Sequence, residues 1–309
     1  MYVPEDRYVW DFWVVSHEGR YHLFHLQAPR ELPDPELRHG MATVGHAVSE
    51  DLIRWKNLGT AVGPGQPGEW DDRAIWTGSV VKGDGLFYMF YTGTCRAEEG
   101  RIQRIGFATS RDLVHWDKYP GNPVLEADLT VYEKAEDSPF GELAWRDPFV
   151  IRWGDRYLAL ITARRNWGEP QRRGCIATAV SEDLLQWRVG APLEVPGGFA
   201  QMEVPQLIFH RGRAYLLFSV EAGWVAEGVS PKATGTFYAI APQPFDRYSP
   251  PTALLADPSG SFYAAKLVRT YRGDWVALAW LRTPAGDFVG GLSDPLPVRF
   301  TPSGVIEVG

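Results

Sequence analysis

Three carboxylates in this chain sit where an acid needs a reason to be. Asp11 lies in Trp10-Asp11-Phe12-Trp13, Asp147 in Trp145-Arg146-Asp147-Pro148, and Glu203 in Met202-Glu203-Val204-Pro205. Each stands among apolar residues and comes a few positions before a glycine turn. Unpaired acids do not gather in such surroundings without a partner or a task. Arg146 beside Asp147, ahead of Phe149-Val150-Ile151, reads as a polar pair at the mouth of a buried strand. Carboxylates around an aromatic-rich pocket are the equipment of glycoside hydrolysis. One ionised acid attacks the anomeric carbon or directs water at it, and a second, kept protonated, donates to the leaving oxygen. A like charge nearby disfavours ionisation and so helps the second acid keep its proton. The three acids are expected to meet at one sugar site, with Arg146 and Asp147 gripping the substrate between the other two.

The elements that would bring them together show in two independent periods. Ser49-Glu50-Asp51-Leu52-Ile53-Arg54-Trp55 recurs as Ser110-Arg111-Asp112-Leu113-Val114-His115-Trp116 and as Ser181-Glu182-Asp183-Leu184-Leu185-Gln186-Trp187, at spacings of 61 and 71 residues. One active site has no need of three identical copies. A turn aspartate bonded to nearby backbone, followed by a packing leucine and tryptophan, explains the repetition. Glycine turns at Gly19, Gly85, Gly154, Gly212 and Gly273 recur in steps of 66, 69, 58 and 61. Each lies between two short apolar runs, the pattern of a β-hairpin. No helical period separates the hairpins, so βαβ units are excluded. Runs such as Leu86-Phe87-Tyr88-Met89-Phe90-Tyr91 are apolar on both faces and need cover on both. A ring of sheets packed face to face supplies it, and five hairpins predict an all-β, five-bladed propeller. The repeat crosses the long loops at 27–41 and 122–142, so a single domain over 1–309 is expected. The innermost strands of such a ring would start near the axis at Asp11, near Thr77, at Asp147, at Glu203 and near Tyr263.

Composition narrows the function classes. A net charge of −7, spread along 309 residues, argues against a nucleic-acid partner. No apolar run is long enough to span a membrane. Met1 to Arg7 lacks the pattern of a signal peptide, which makes the cytoplasm the expected location. Cys95 and Cys175 are too few for a disulfide framework and read as buried apolar residues. His22 and His25, three apart on a strand, face opposite ways and cannot chelate one metal. Neither a metal nor a cofactor is expected. The glycines of Gly63-Pro64-Gly65-Gln66-Pro67-Gly68 lack the phosphate-cradle spacing and read as a loop.

A family resemblance rests on a set of short motifs in matching order. Tyr21-His22-Leu23-Phe24, Gly45-His46-Ala47-Val48-Ser49, Trp76-Thr77-Gly78-Ser79, Arg146-Asp147-Pro148, Glu203-Val204-Pro205 and Phe262-Tyr263-Ala264 together resemble glycoside hydrolase family 32, the invertases, inulinases and other β-fructofuranosidases. The resemblance implies a five-bladed propeller and a retaining mechanism. It implies Asp11 as nucleophile, Glu203 as acid/base and Asp147, with Arg146, as the group holding sugar hydroxyls in the transition state. Trp76 and Thr77 match pocket-lining residues, and Tyr263 belongs to the last motif. The nucleophile segment departs from the family's usual Asn-Asp-Pro-Asn-Gly, placing Trp10 beside the acid. Leu26 stands where the family has a glutamine, and His39 falls near a pocket tryptophan. The wall that recognises the sugar is therefore expected to be remodelled. The β-sandwich usual after the propeller is not expected within this chain, and the flank it would cover is a candidate surface for a homo-oligomer. The leading expectation is a retaining, exo-acting hydrolase of small β-fructofuranosides. An arabinofuranosidase or xylosidase of similar propeller fold and a sugar-binding propeller without turnover are the alternatives.

Overall fold

A computed structural model describes residues 1–283 and 285–309. The glycine turns do make hairpins. Glu18-Gly19, Asp84-Gly85 and Arg211-Gly212 carry positive φ at both turn residues, the geometry that matches the twist of paired strands. They join β1 (Arg7–His17) to β2 (Arg20–Pro29), β5 (Ala74–Gly83) to β6 (Leu86–Thr94) and β13 (Glu203–His210) to β14 (Arg213–Val220). Gly154 and Gly273 turn β9 (Trp145–Trp153) into β10 (Arg156–Arg164) and β17 (Phe262–Arg269) into β18 (Trp275–Arg282).

Each hairpin grows into an antiparallel sheet. The first adds β3 (Thr43–Ser49) and β4 (Lys56–Val62), and the second adds β7 (Arg104–Ser110) and β8 (Asp117–Lys118). The third adds β11 (Gly174–Ser181) and β12 (Arg188–Val189), and the fourth β15 (Thr234–Ala241) and β16 (Thr252–Asp257). The fifth sheet takes β20 (Leu296–Phe300) and β21 (Ile306–Val308), with β19 (Phe288–Leu292) beside the end of β18. The innermost strands touch in the order β1, β5, β9, β13, β17 and back to β1, so the ring is closed and the chain is a five-bladed propeller. All but the first residue of β6 are buried, as an apolar strand between two blades must be. Tyr2 exchanges both backbone hydrogen bonds with Leu292 at 3.0 and 2.9 Å, and Arg30 donates to the carbonyls of Val289 and Gly290, tying the first blade to the last.

The serine-to-tryptophan repeat fills the same corner of the first three blades, between the third and fourth strands. Asp51 Oδ1 accepts from the backbone of Ile53 and Arg54, Asp112 from Val114 and His115, and Asp183 from Leu185 and Gln186, at 2.8–3.0 Å. Leu52, Leu113 and Leu184 are held at φ 64–67° and are buried, so these aspartates are structural. Cys95 and Cys175 are buried free thiols. No helix among the described residues is long and apolar enough to cross a membrane.

Candidate active site

The functional side chains are aimed by irregularities in the innermost strands. Pairing with the neighbouring strand slips between Val9 and Phe12, between Trp76 and Gly78, opposite Asp147-Pro148, between Glu203 and Gln206, and between Tyr263 and Lys266. A bulge of this kind bends the strand and re-aims a side chain. In the last three blades one bulge residue lies in the left-handed region: Asp147 at φ 58°, Val204 at 52° and Ala264 at 49°. A hydroxyl from the preceding blade captures each freed amide. The amide of Asp147 donates to Thr92 Oγ1 at 2.9 Å, that of Val204 to Thr162 Oγ1 at 3.2 Å, and that of Ala264 to Ser219 Oγ at 3.1 Å. The equivalence differs by one residue from the expected alignment of strand starts. Asp147 corresponds to Val204 and Ala264, whereas Glu203 corresponds to Arg146 and Tyr263. Asp11 and Thr77 are also not at strand starts but well inside β1 and β5. The reason is that the bulge, not the end of the strand, turns these groups toward the axis.

Arg146, Glu203 and Tyr263, one from each of three successive blades, form a hydrogen-bonded chain. Arg146 Nη2 donates to Glu203 Oε1 at 2.7 Å, and Tyr263 Oη donates to Glu203 Oε2 at 2.7 Å. Asp11 is held from the other side of the axis, its Oδ2 accepting from Thr77 Oγ1 at 2.7 Å and its Oδ1 from Trp280 Nε1 at 2.9 Å. Asp147 Oδ2 accepts from Thr162 Oγ1 at 2.8 Å and from the Val204 amide at 3.1 Å. Its Oδ1 has no protein donor among the described residues.

Burial pushes the Asp147 carboxyl up to about 7; Arg146 opposes the rise, and the charges of Glu203 and Asp11 add to it. Glu203 is also raised, first by burial, with Arg146 and the Tyr263 hydrogen bond opposing and Asp11 adding. Carboxylates this strongly coupled hold a proton as a group. Among Glu203's two partners, the Tyr263 hydroxyl alone can reverse from donor to acceptor, so Glu203 can carry that proton without losing its contacts. Burial works against the charge of Arg146, but Glu142, Glu203 and Asp147 outweigh it and hold its pKa above the ordinary value.

Asp11, Asp147, Glu203, Trp10, His39, Trp76, Thr77, Arg146 and Tyr263 all line one cavity of about 370 Å³ at the axis. Two of the aromatic members are fixed by their neighbours. Trp76 Nε1 is taken by the His39 carbonyl at 2.7 Å, and Trp10 packs edge-on against the His39 ring at 6.0 Å. Leu26 lines the cavity where the resemblance expects a glutamine. The Arg146 side chain is 8% exposed, and its guanidinium is engaged by Glu142, Gln103, Gln201 and Glu203.

Several residues of the site were not singled out from sequence. Glu142 and Gln201 buttress Arg146, Trp280 holds Asp11, and Glu221 pairs with Arg282 at the rim. Glu36 and Arg38 reach the cavity on the short 3-10 helix Pro35–Gly40, within the long loop at 27–41. The acid content of that loop and of the loop at 122–142 was the available signal. Beneath the cavity Lys266 Nζ donates to the carbonyls of Val204 and Pro205 at 2.6 and 3.0 Å, bracing the Glu203 bulge. Burial lowers Lys266 to about 7, against the opposing charges of Asp11 and Asp147. The expected separation of His22 and His25 holds: His22 Nδ1 pairs with His46 Nε2 at 3.0 Å, whereas His25 Nδ1 faces the Leu26 carbonyl.

With this geometry in hand, the likeness to known proteins has a physical content. A probable sucrose-6-phosphate hydrolase of Psychromonas ingrahamii is 31% identical over 177 residues, covering 56% of this chain and 28% of that relative. The sucrose-6-phosphate hydrolase of Pediococcus pentosaceus is 24% identical over 273 residues, covering 86% and 50%. The chain thus spans half or less of the length of these curated relatives. Among solved structures, a sucrose-6-phosphate hydrolase from Lactobacillus gasseri superposes with a TM-score of 0.79 at 21% identity, covering 99% of this chain and 62% of that one. A β-fructofuranosidase of Bombyx mori does so at 0.74 and 21%, covering 100% and 64%. At such identities the structural likeness is one of fold. Residues 13–287 match the model described as Glycosyl hydrolases family 32 N-terminal domain, a match that begins two residues after Asp11, where the sequence departs most from the family's motif. By that match across most of its length, the chain belongs to the family of the glycosyl hydrolase family 32 N-terminal domain.

Proposed function

We propose that this propeller is the catalytic domain of a retaining, exo-acting β-fructofuranosidase on small substrates, sucrose or short fructooligosaccharides. The observation that carries the reading is the convergence of Asp11 and Glu203 on one cavity in two different settings. Asp11 has both oxygens oriented by fixed donors, Thr77 and Trp280, which suits a carboxylate that must present a lone pair to the anomeric carbon. Glu203 is set between Arg146 and a reversible hydroxyl, which suits a group that gives up a proton and takes it back. Asp11 attacks and forms the fructosyl ester as Glu203 protonates the leaving oxygen. Glu203 then removes a proton from the water that cleaves the ester. Asp147 accepts from sugar hydroxyls through Oδ1 while Thr162 and the Val204 amide hold Oδ2. A cavity of about 370 Å³ is small for a ligand pocket, in keeping with a short substrate.

Incubation with sucrose and with 1-kestose, followed by proton NMR of the first-formed anomer, tests the reading directly. Release of β-fructose is expected, and Asp11→Asn and Glu203→Gln should each lower kcat by about a thousandfold or more with circular dichroism unchanged. First-formed α-anomer, or full activity in both variants, would show that the assignment is wrong. Turnover of aryl arabinofuranosides or xylosides but not of fructosides would favour the related propeller hydrolases.

A further inference from the structure

We infer that this site takes neutral fructosides and discriminates against phosphorylated ones, because every arginine at the cavity is already held in an ion pair with a cavity carboxylate and the acids outnumber them. The inference rests on the fructosidase reading and concerns the same pocket.

Six carboxylates line the cavity against three guanidinium groups, and no lysine is among the described lining residues. Each arginine is already paired. Arg38 Nη1 lies 2.6 Å from Glu36, Arg146 Nη1 3.0 Å from Glu142, and Arg282 is tied to Glu221. In two pairs the carboxylate is the more exposed partner: side-chain exposure is 68% for Glu36 against 7% for Arg38 and 21% for Glu142 against 8% for Arg146, while Glu221 and Arg282 are comparable at 27% and 21%. Arg38 and Arg282 are further occupied on their faces. The Arg38 guanidinium stacks over Phe288 at 4.0 Å, and that of Arg282 lies over Tyr263 and Trp280 at 5.4 and 5.2 Å. A phosphate dianion entering here finds a carboxylate beside every guanidinium. To reach a cation it must break a formed ion pair and leave the displaced acid beside it. A neutral sugar meets the same carboxylates as hydrogen-bond acceptors for its hydroxyls. The curated relatives named sucrose-6-phosphate hydrolases make this preference worth separating from family membership.

The deciding measurement is binding to the Asp11→Asn variant at pH 7.5, read by quenching of the pocket tryptophans, with sucrose and sucrose 6-phosphate as probes. Sucrose is expected to bind at least about tenfold more tightly, with the gap narrowing as salt screens the rim charges. Adding Glu221→Gln, or Glu36→Gln, should also narrow it, by freeing Arg282 or Arg38. Equal or tighter binding of the phosphate ester overturns the inference, as does failure to bind sucrose. A sucrose preference in binding without hydrolysis by the parent protein would instead overturn the fructosidase reading and leave this one standing.

Discussion

At the scale of single residues, the proposed chemistry turns on how Glu203 is held. Its two oxygens meet a permanent cation and a phenol, and the phenol's hydrogen bond stabilises the ionised form. Removing it in Tyr263→Phe should leave Glu203 with a pKa higher still. The acid limb requires an ionised nucleophile, and the alkaline limb reports loss of the proton from the general acid. The alkaline limb of kcat/KM is therefore expected to move to higher pH in Tyr263→Phe, with kcat reduced by about tenfold as the glutamate loses its orientation. An unmoved alkaline limb in a pH–rate profile would show that Tyr263 does not set the acid. Trp10 and Phe12, flanking Asp11, are both buried; Trp10 lies against His39 and Phe288 at the cavity wall, which accounts for an aromatic residue beside this carboxylate.

At the scale of elements, the bulge is the working part. Three successive inner strands each place one residue at positive φ, conformations that cost free energy unless the surroundings hold them. Here the holding group is a hydroxyl from the neighbouring blade. Thr162 serves two blades, donating to Asp147 Oδ2 and accepting from the Val204 amide, and it is fully buried. Thr162→Val keeps the shape and deletes both bonds. It is expected to destabilise the protein by about 1–3 kcal/mol, measured by urea denaturation. It should also lower kcat more than it raises KM, because Asp147 and the Glu203 bulge lose a shared support. A stability loss with kcat unchanged would assign Thr162 to the fold alone.

At the scale of the whole molecule, the active site is a cost carried by the ring. Closure comes from five blades packed face to face and from Tyr2 and Arg30 joining the first to the last, while the axis gathers like charges. Asp147 has its pKa raised by folding, to about 7 from an unfolded value near 4. A raised acid binds its proton more tightly in the folded state. Its stabilising contribution is therefore complete below about pH 4 and is lost as pH rises through 7. Asp147→Asn has no such dependence. Its Tm relative to the parent should rise by several degrees between pH 5 and pH 8, on the order of 2–4 °C per kcal/mol, while hydrolysis is lost. Parallel Tm profiles for the two proteins across that range would refute the buried-carboxylate account.

The sequence by itself determined the architecture, because hairpin turns and the serine-to-tryptophan corner are local. Gly19, Gly85, Gly154, Gly212 and Gly273 mark their hairpins within a few residues, and Asp51, Asp112 and Asp183 bond backbone only two and three positions on. It also singled out Asp11, Asp147 and Glu203, since an acid inside an apolar run is visible without a structure. What only the tertiary structure decided is where those groups point and what they touch. The bulge at Val204 depends on Thr162, 42 positions away, and that at Asp147 on Thr92, 55 away. The partners of Arg146 arrive from Gln103, Glu142 and Gln201 on three separate segments. A chain records the periodicity of its own backbone. It does not record which distant hydroxyl will meet a freed amide, and that meeting sets the one-residue shift that makes Arg146, rather than Asp147, the counterpart of Glu203.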